Sequence, residues 1–222
     1  IMKKLLLTLI ALPMIGFGQN GECVKYQRFG DVSICFPEID GLIECSSDSE
    51  VSYWSMMSKS SNEVTLGWYF TANNCSNISA LKEEGLYDYF KIFSLNSFVS
   101  RKAQDGDFNE FERYIKSSEW DFLDDWELAK KIKFVTGENI SGDKPIYIES
   151  YMPPSSKIRS YVGLNKIIVG EKEDIVVSIL NIIEIKSRII FYTYYLPYNG
   201  ISTIKKAKAK SDYFGLKLLE VN

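Results

Sequence analysis

The chain contains no histidine. Serine and cysteine triads, histidine-held metals and imidazole proton relays all need that ring. What chemistry remains would have to run on carboxylates, lysine or tyrosine. An excess of positive charge is missing too. The formal net charge is -3, which offers no long-range attraction for nucleic acid or anionic lipid. No internal repeat and no low-complexity stretch interrupts the chain, and no apolar run approaches the roughly 20 residues a spanning helix requires. With 45% hydrophobic, 14% aromatic and 25% charged residues, the composition is that of a globular protein with a proper core.

The first residues read as an export leader. Lys3 and Lys4 form a positive head, Leu5 to Ile15 an apolar stretch broken only by Thr8 and Pro13, and Gly16-Phe17-Gly18 a small-residue site. That order is the one a secretory signal carries, with cleavage expected before Gln19. A lipid anchor would need cysteine directly after small residues, whereas Asn20-Gly21-Glu22 precede Cys23. The expectation is therefore a leader over 1–18 and a single globular domain over 19–222, exported to the periplasm or beyond, with no stable membrane span after cleavage.

Four cysteines, Cys23, Cys35, Cys45 and Cys75, fall early in the mature chain. An even count in an oxidising compartment predicts disulfides. Zinc is the rival, but the spacings are long, and neither a paired-cysteine motif nor a histidine partner is present. Three pairings are possible. Ile34 to Pro37 and Leu42 to Cys45 are strand-like and flank Ile39-Asp40-Gly41. A three-residue loop ending in glycine would put Cys35 opposite Cys45, at a separation a disulfide tolerates. Cys23 would then join Cys75. A two-residue loop would shift the register and break that pairing.

Further along, Glu63 to Thr71 reads as a strand, and Leu86 to Phe93 favours strand over helix. Phe108, Phe111, Tyr114 and Ile115 recur at helical spacing, and a second helix is expected over Glu119 to Lys131 behind a serine cap. Pro145 to Tyr151, Lys157 to Val162, Asp174 to Ile185 and Arg188 to Tyr195 alternate as strands, the last two around a Lys186-Ser187 turn. Ile175, Val177, Ile179, Ile183 and Ile185 take one face and Val176, Leu180 and Ile182 the other, so both faces need cover. Ile204, Ala207, Ser211, Phe214 and Leu218 form the stripe of a closing helix. The fold class is α+β: a largely antiparallel sheet covered by helices, an α/β/α sandwich with a disulfide-bonded N-terminal hairpin.

The ending Tyr194-Tyr195-Leu196-Pro197-Tyr198-Asn199-Gly200, with Ser211-Asp212-Tyr213-Phe214 beyond it, resembles a pattern in uncharacterised exported proteins of Bacteroidetes. Leu12 to Gln19 resembles their leader; the match covers the two ends of the chain. The order of strands, mid-chain helix, strand hairpin and final helix is similar to the PsbP/Mog1-like sandwich, an analogy of fold that carries no functional residue.

Asp121, Asp124, Asp125 and Glu127 make the densest acidic cluster and the best candidates for acid-base work, though a solvated helix face explains them as well; no glycine among them supports a calcium loop. Trp54, Trp68, Trp120 and Trp126 could line a groove or fill the core. The lysines of the closing helix could meet an acidic partner or simply face water. The composite reading is a non-enzymatic envelope or secreted binding protein for a protein partner or small ligand, without cofactor or metal; the alternative is a hydrolase built on carboxylates.

Overall fold

The computed structural model describes residues 22–58, 61–78, 88–117, 121–122, 146–169 and 172–222. The leader and Asp124, Asp125 and Glu127 lie outside them. Two strands, β1 (Cys23–Phe29) and β2 (Val32–Pro37), pair around Gly30-Asp31 as a separate ribbon. Eight more strands form one sheet: β3 (Ile43–Glu44), β4 (Glu63–Phe70), β5 (Tyr89–Leu95), β6 (Asp121–Phe122), β7 (Ile146–Tyr151), β8 (Ile158–Val169), β9 (Lys172–Ile185) and β10 (Arg188–Pro197). Their order is β3-β4-β5-β10-β9-β8-β7-β6. Every neighbouring pair is antiparallel except β6 with β7. Four α-helices, α1 (Ser49–Ser58), α2 (Ala72–Ser76), α3 (Asp107–Ser117) and α4 (Ile201–Glu220), and a single 3-10 turn at Asn96–Phe98 complete the described fold.

The two-faced pattern of β9 and β10 is used as the alternation demands. Val177, Ile179, Ile183, Ile190, Tyr192 and Tyr194 turn to one side and bury against Ile204, Ala207, Phe214 and Leu218 of α4 and against Phe29, Ile34 and Phe36 of the ribbon. Ile182, Ile189 and Phe191 turn to the other, where Ile115, Phe108 and Phe111 of α3 cover them. A third cluster on that second side joins Val51 of α1 to Trp68, Phe70 and Tyr89. Helices therefore lie over both faces, as the expected α/β/α architecture requires.

The cysteine pairing is corrected. Cys23 bonds Cys35 and Cys45 bonds Cys75, with Cα separations of 5.6 and 6.0 Å. The tight turn at Ile39 to Leu42 exists, with Gly41 at φ 76° and the Leu42 N–H donating to the Ile39 carbonyl. Its two arms nevertheless part company: β2 pairs with β1, and β3 pairs with β4. Cys35 thus meets the cysteine of its actual neighbour strand, and Cys45 meets the one on α2, which follows β4. The helix expected over Glu119 to Lys131 is also corrected in part, because Asp121 and Phe122 run as a strand beside Ile146 and Tyr147.

The ribbon is held down at its tip. Arg188, only 4% exposed, donates to Asp31 in the β1–β2 loop, and Lys186 Nζ donates to the Ser33 carbonyl at 2.8 Å. Gly30 sits at φ 60°, and a Cβ there would lie 2.2 Å from the Val99 carbonyl oxygen, so this turn needs glycine twice over. Along α4 the polar contacts are satisfied internally. Ser160 Oγ donates to Asn181 Oδ1 (2.5 Å), and Asn181 Nδ2 lies 2.8 Å from Ser211 Oγ.

Tyr151 donates its hydroxyl to Asp212 Oδ1 at 2.8 Å, tying β7 to α4. Burial raises the Asp212 carboxyl above its ordinary value of 3.8, against the opposing pull of Tyr151 and Lys208. A carboxyl raised by folding favours the fold while protonated and loses that contribution as pH rises through its folded pKa. Asp212→Asn should therefore raise the thermal midpoint at pH 7, and the gain should vanish below the unfolded carboxyl pKa of about 4, where both side chains are neutral. Thermal melts of both proteins across that range check it.

Candidate functional site

The acidic cluster does not assemble a site among the described residues. Asp121 lies on β6, and its three companions fall outside. Of the tryptophans, Trp68 is buried and stacks on Phe70 with centroids 5.9 Å apart, which makes it core. Trp120, Trp126 and the Trp54 side chain lie outside the described residues. The α4 lysines are partly occupied: Lys208 pairs with Glu149, Lys210 with Asp88 and Lys217 with Glu220. No helix among the described residues is long and apolar enough to cross a membrane.

What the fold does create is a cleft where the β1–β2 ribbon passes over the β3–β4 end of the sheet. A cavity of about 420 Å³ opens there, walled by Val24, Pro37, Ile39, Leu42, Ile43 and Tyr69. A second, of about 290 Å³, lies beside it among Gln27, Ser52, Met56, Val64 and Trp68. Lys25 lines both. The first volume falls within the range of small-ligand sites, and its mainly apolar wall with a few fixed polar groups fits their usual make-up.

The polar groups are arranged by strand parity. Cys23, Lys25 and Gln27 turn to the covered side of β1 while Tyr26 and Arg28 face out and Val24 stands half-exposed at the cavity's rim. Lys25 reaches across to Glu44 Oε2 at 3.3 Å and donates to Ser46 Oγ. The Glu44 side chain is only 5% exposed. Its other oxygen accepts from the Ser46 N–H (3.1 Å), Ser46 Oγ (2.5 Å) and the Trp68 N–H (3.3 Å). Below them Tyr69 donates to the Pro37 carbonyl at 2.7 Å, and burial, aided by the Glu44 charge, pushes its phenol well up, so it stays a neutral donor. The Glu44 carboxylate is thus held by Lys25, Ser46 and the Trp68 N–H, and the lysine beside it is ion-paired. The arrangement can hold and orient a guest.

None of Lys25, Glu44 or Tyr69 stands out in the sequence. The one usable signal is Lys25, a charge on the inward parity of a strand, which demands a buried partner.

No protein-family model matches the chain, and no curated protein matches it. Among solved structures it bears a distant structural resemblance to the Saccharomyces cerevisiae Ran-binding protein Mog1p, at 7% identity and a TM-score of 0.34 over 85% of this chain and 84% of that one. A likeness at this level carries neither a residue nor an activity across.

Proposed function

We propose that this chain is an exported, non-enzymatic binding protein of the periplasm or the cell exterior, and that its ligand is a small, mainly apolar molecule seated under the β1–β2 ribbon. Two disulfides that use all four cysteines support an oxidising compartment. The observation that carries the binding role is the 420 Å³ cavity lined on one side by the Lys25–Glu44 ion pair. Its polar groups orient a guest, and the apolar wall supplies affinity.

Ile43→Trp, on a half-exposed wall residue, fills the cavity from its rim. Protein taken gently from the natural host's envelope and medium should release a bound small molecule on denaturation, detected by mass spectrometry. The Ile43→Trp protein should release roughly tenfold less, the loss that accompanies about 1.4 kcal/mol of binding energy. Equal yields from both proteins, or no molecule from either, would count against the reading. Intact mass of the same sample should begin at Gln19.

A further inference from the structure

On the opposite side of the sheet, β7 and β8 place Ser150 directly against Tyr161. Strand parity sends Arg159 and Tyr161 toward α3, while Ser160 between them turns to Asn181. A cavity of about 290 Å³ lies there, lined by Arg159, Tyr161, Ser150, Met152 and Glu112 of α3. Tyr161 is 1% exposed, and its hydroxyl has no hydrogen-bond partner among the described residues. Buried hydroxyls are almost always paired, so a missing partner calls for an explanation. Burial raises the phenol far above ordinary tyrosine, so the group remains a proton donor throughout the physiological range. Arg159 supplies the charge. Its Nη1 donates to the Ser156 and Ile158 carbonyls (3.1 and 3.0 Å), and its guanidinium stacks 5.5 Å from the Phe108 ring centroid. Those contacts fix the fork, and among the described residues Nε and Nη2 meet no acceptor.

We propose that this cavity is a second binding site and takes a small monocarboxylate, with Tyr161 Oη and the Arg159 guanidinium donating to its two oxygens. A neutral donor and a fixed cation lining the same few hundred cubic ångströms match a planar anion, the geometry guanidinium recognises best. Glu112 lines the same space with a negative charge and limits the affinity. It restricts the guest to one carboxylate and sets the sign of a further test.

Benzoate is the probe. Titrated into the full protein and followed by two-dimensional nitrogen–proton NMR, it should give saturable shifts at Arg159 Nε–H and at the amides of Ser150 and Tyr161. Tyr161→Phe, which keeps the ring, should weaken binding by roughly tenfold or more, the usual loss when a hydrogen bond to a charged group is removed. Arg159→Gln should abolish saturation, and Glu112→Gln should tighten binding several-fold by removing the repulsion. Benzyl alcohol should leave these resonances unmoved. Ile43→Trp, which fills the other cavity, should leave benzoate affinity unchanged, so the two sites stand or fall separately. Absence of saturable shifts in the wild type, or equal affinity in wild type and a folded Tyr161→Phe, would overturn the proposal and leave the hydroxyl to a buried water.

Discussion

Replacing Cys45 and Cys75 together by serine should lower the unfolding free energy by about 3–4 kcal/mol, and the matching Cys23/Cys35 replacement by roughly 3. The ranking follows from the loops closed, separations of 30 and 12 residues, since the longer loop surrenders more freedom in the unfolded chain. Position reinforces it. Cys45 is buried in the cluster of Val51, Trp68, Phe70 and Tyr89, so serine there also puts a hydroxyl among apolar groups. The Cys23–Cys35 bond staples two strands that already pair. Urea unfolding of the two double variants tests the order; a larger loss from the Cys23/Cys35 variant would contradict it.

Phe214→Ala should cost about 3–5 kcal/mol, the range for deleting a fully buried aromatic ring. Phe214 is wholly buried, stacks on Phe90 at 4.2 Å between centroids and meets Tyr69 edge-on at 5.1 Å and Tyr192 at 5.2 Å. One ring on α4 thereby contacts β4, β5 and β10. The rigid sheet beneath cannot collapse into the space left behind, which places the cost in the upper part of that range. Ile201→Ala, on an exposed position of the same helix, should change stability by less than about 0.5 kcal/mol. Denaturant midpoints, with unchanged slopes, distinguish the two.

The elements that the sequence reveals most clearly are those whose partners are sequence neighbours. β8, β9, β10 and α4 are adjacent along the chain and bury large residues at strict periods of two or of 3.6, so face and element are legible together. The β1–β2 ribbon carried a usable sign in Gly30-Asp31 between Phe29 and Val32, a two-residue hairpin loop. The Gly41 turn carries a similar sign, but its arms pair elsewhere. α1 begins at an Asp48 cap, whose Oδ1 accepts from the Glu50 and Val51 N–H groups, but serines interrupt its apolar spacing and hide the helix. The short β6 has no periodicity to read, being two residues long.

Neither the cavity under the ribbon nor the one beside Tyr161 is legible in the sequence, for a reason that lies in the topology. The first takes its walls from β1, the end of β2, the Ile39–Leu42 turn, β3 and β4, and no local pattern encodes the gap left between them. The cavity beside Tyr161 depends on a hydroxyl with no acceptor among the described residues, which no sequence pattern encodes. Lys25 and Tyr161 each look ordinary within their strands; their surroundings make them candidates.

Both covalent cross-links lie within 23–75, whereas β5 reaches β10 through pairs such as Phe93 with Phe191, about a hundred residues apart in the chain. The middle of the eight-stranded sheet is thus a seam held by hydrogen bonds and packing with no covalent bond across it, joining an N-terminal portion braced by sulfur to a C-terminal meander. Reduction would loosen only one of the two parts, while the Phe214 ring, set against both Phe90 and Tyr192, still clamps the seam.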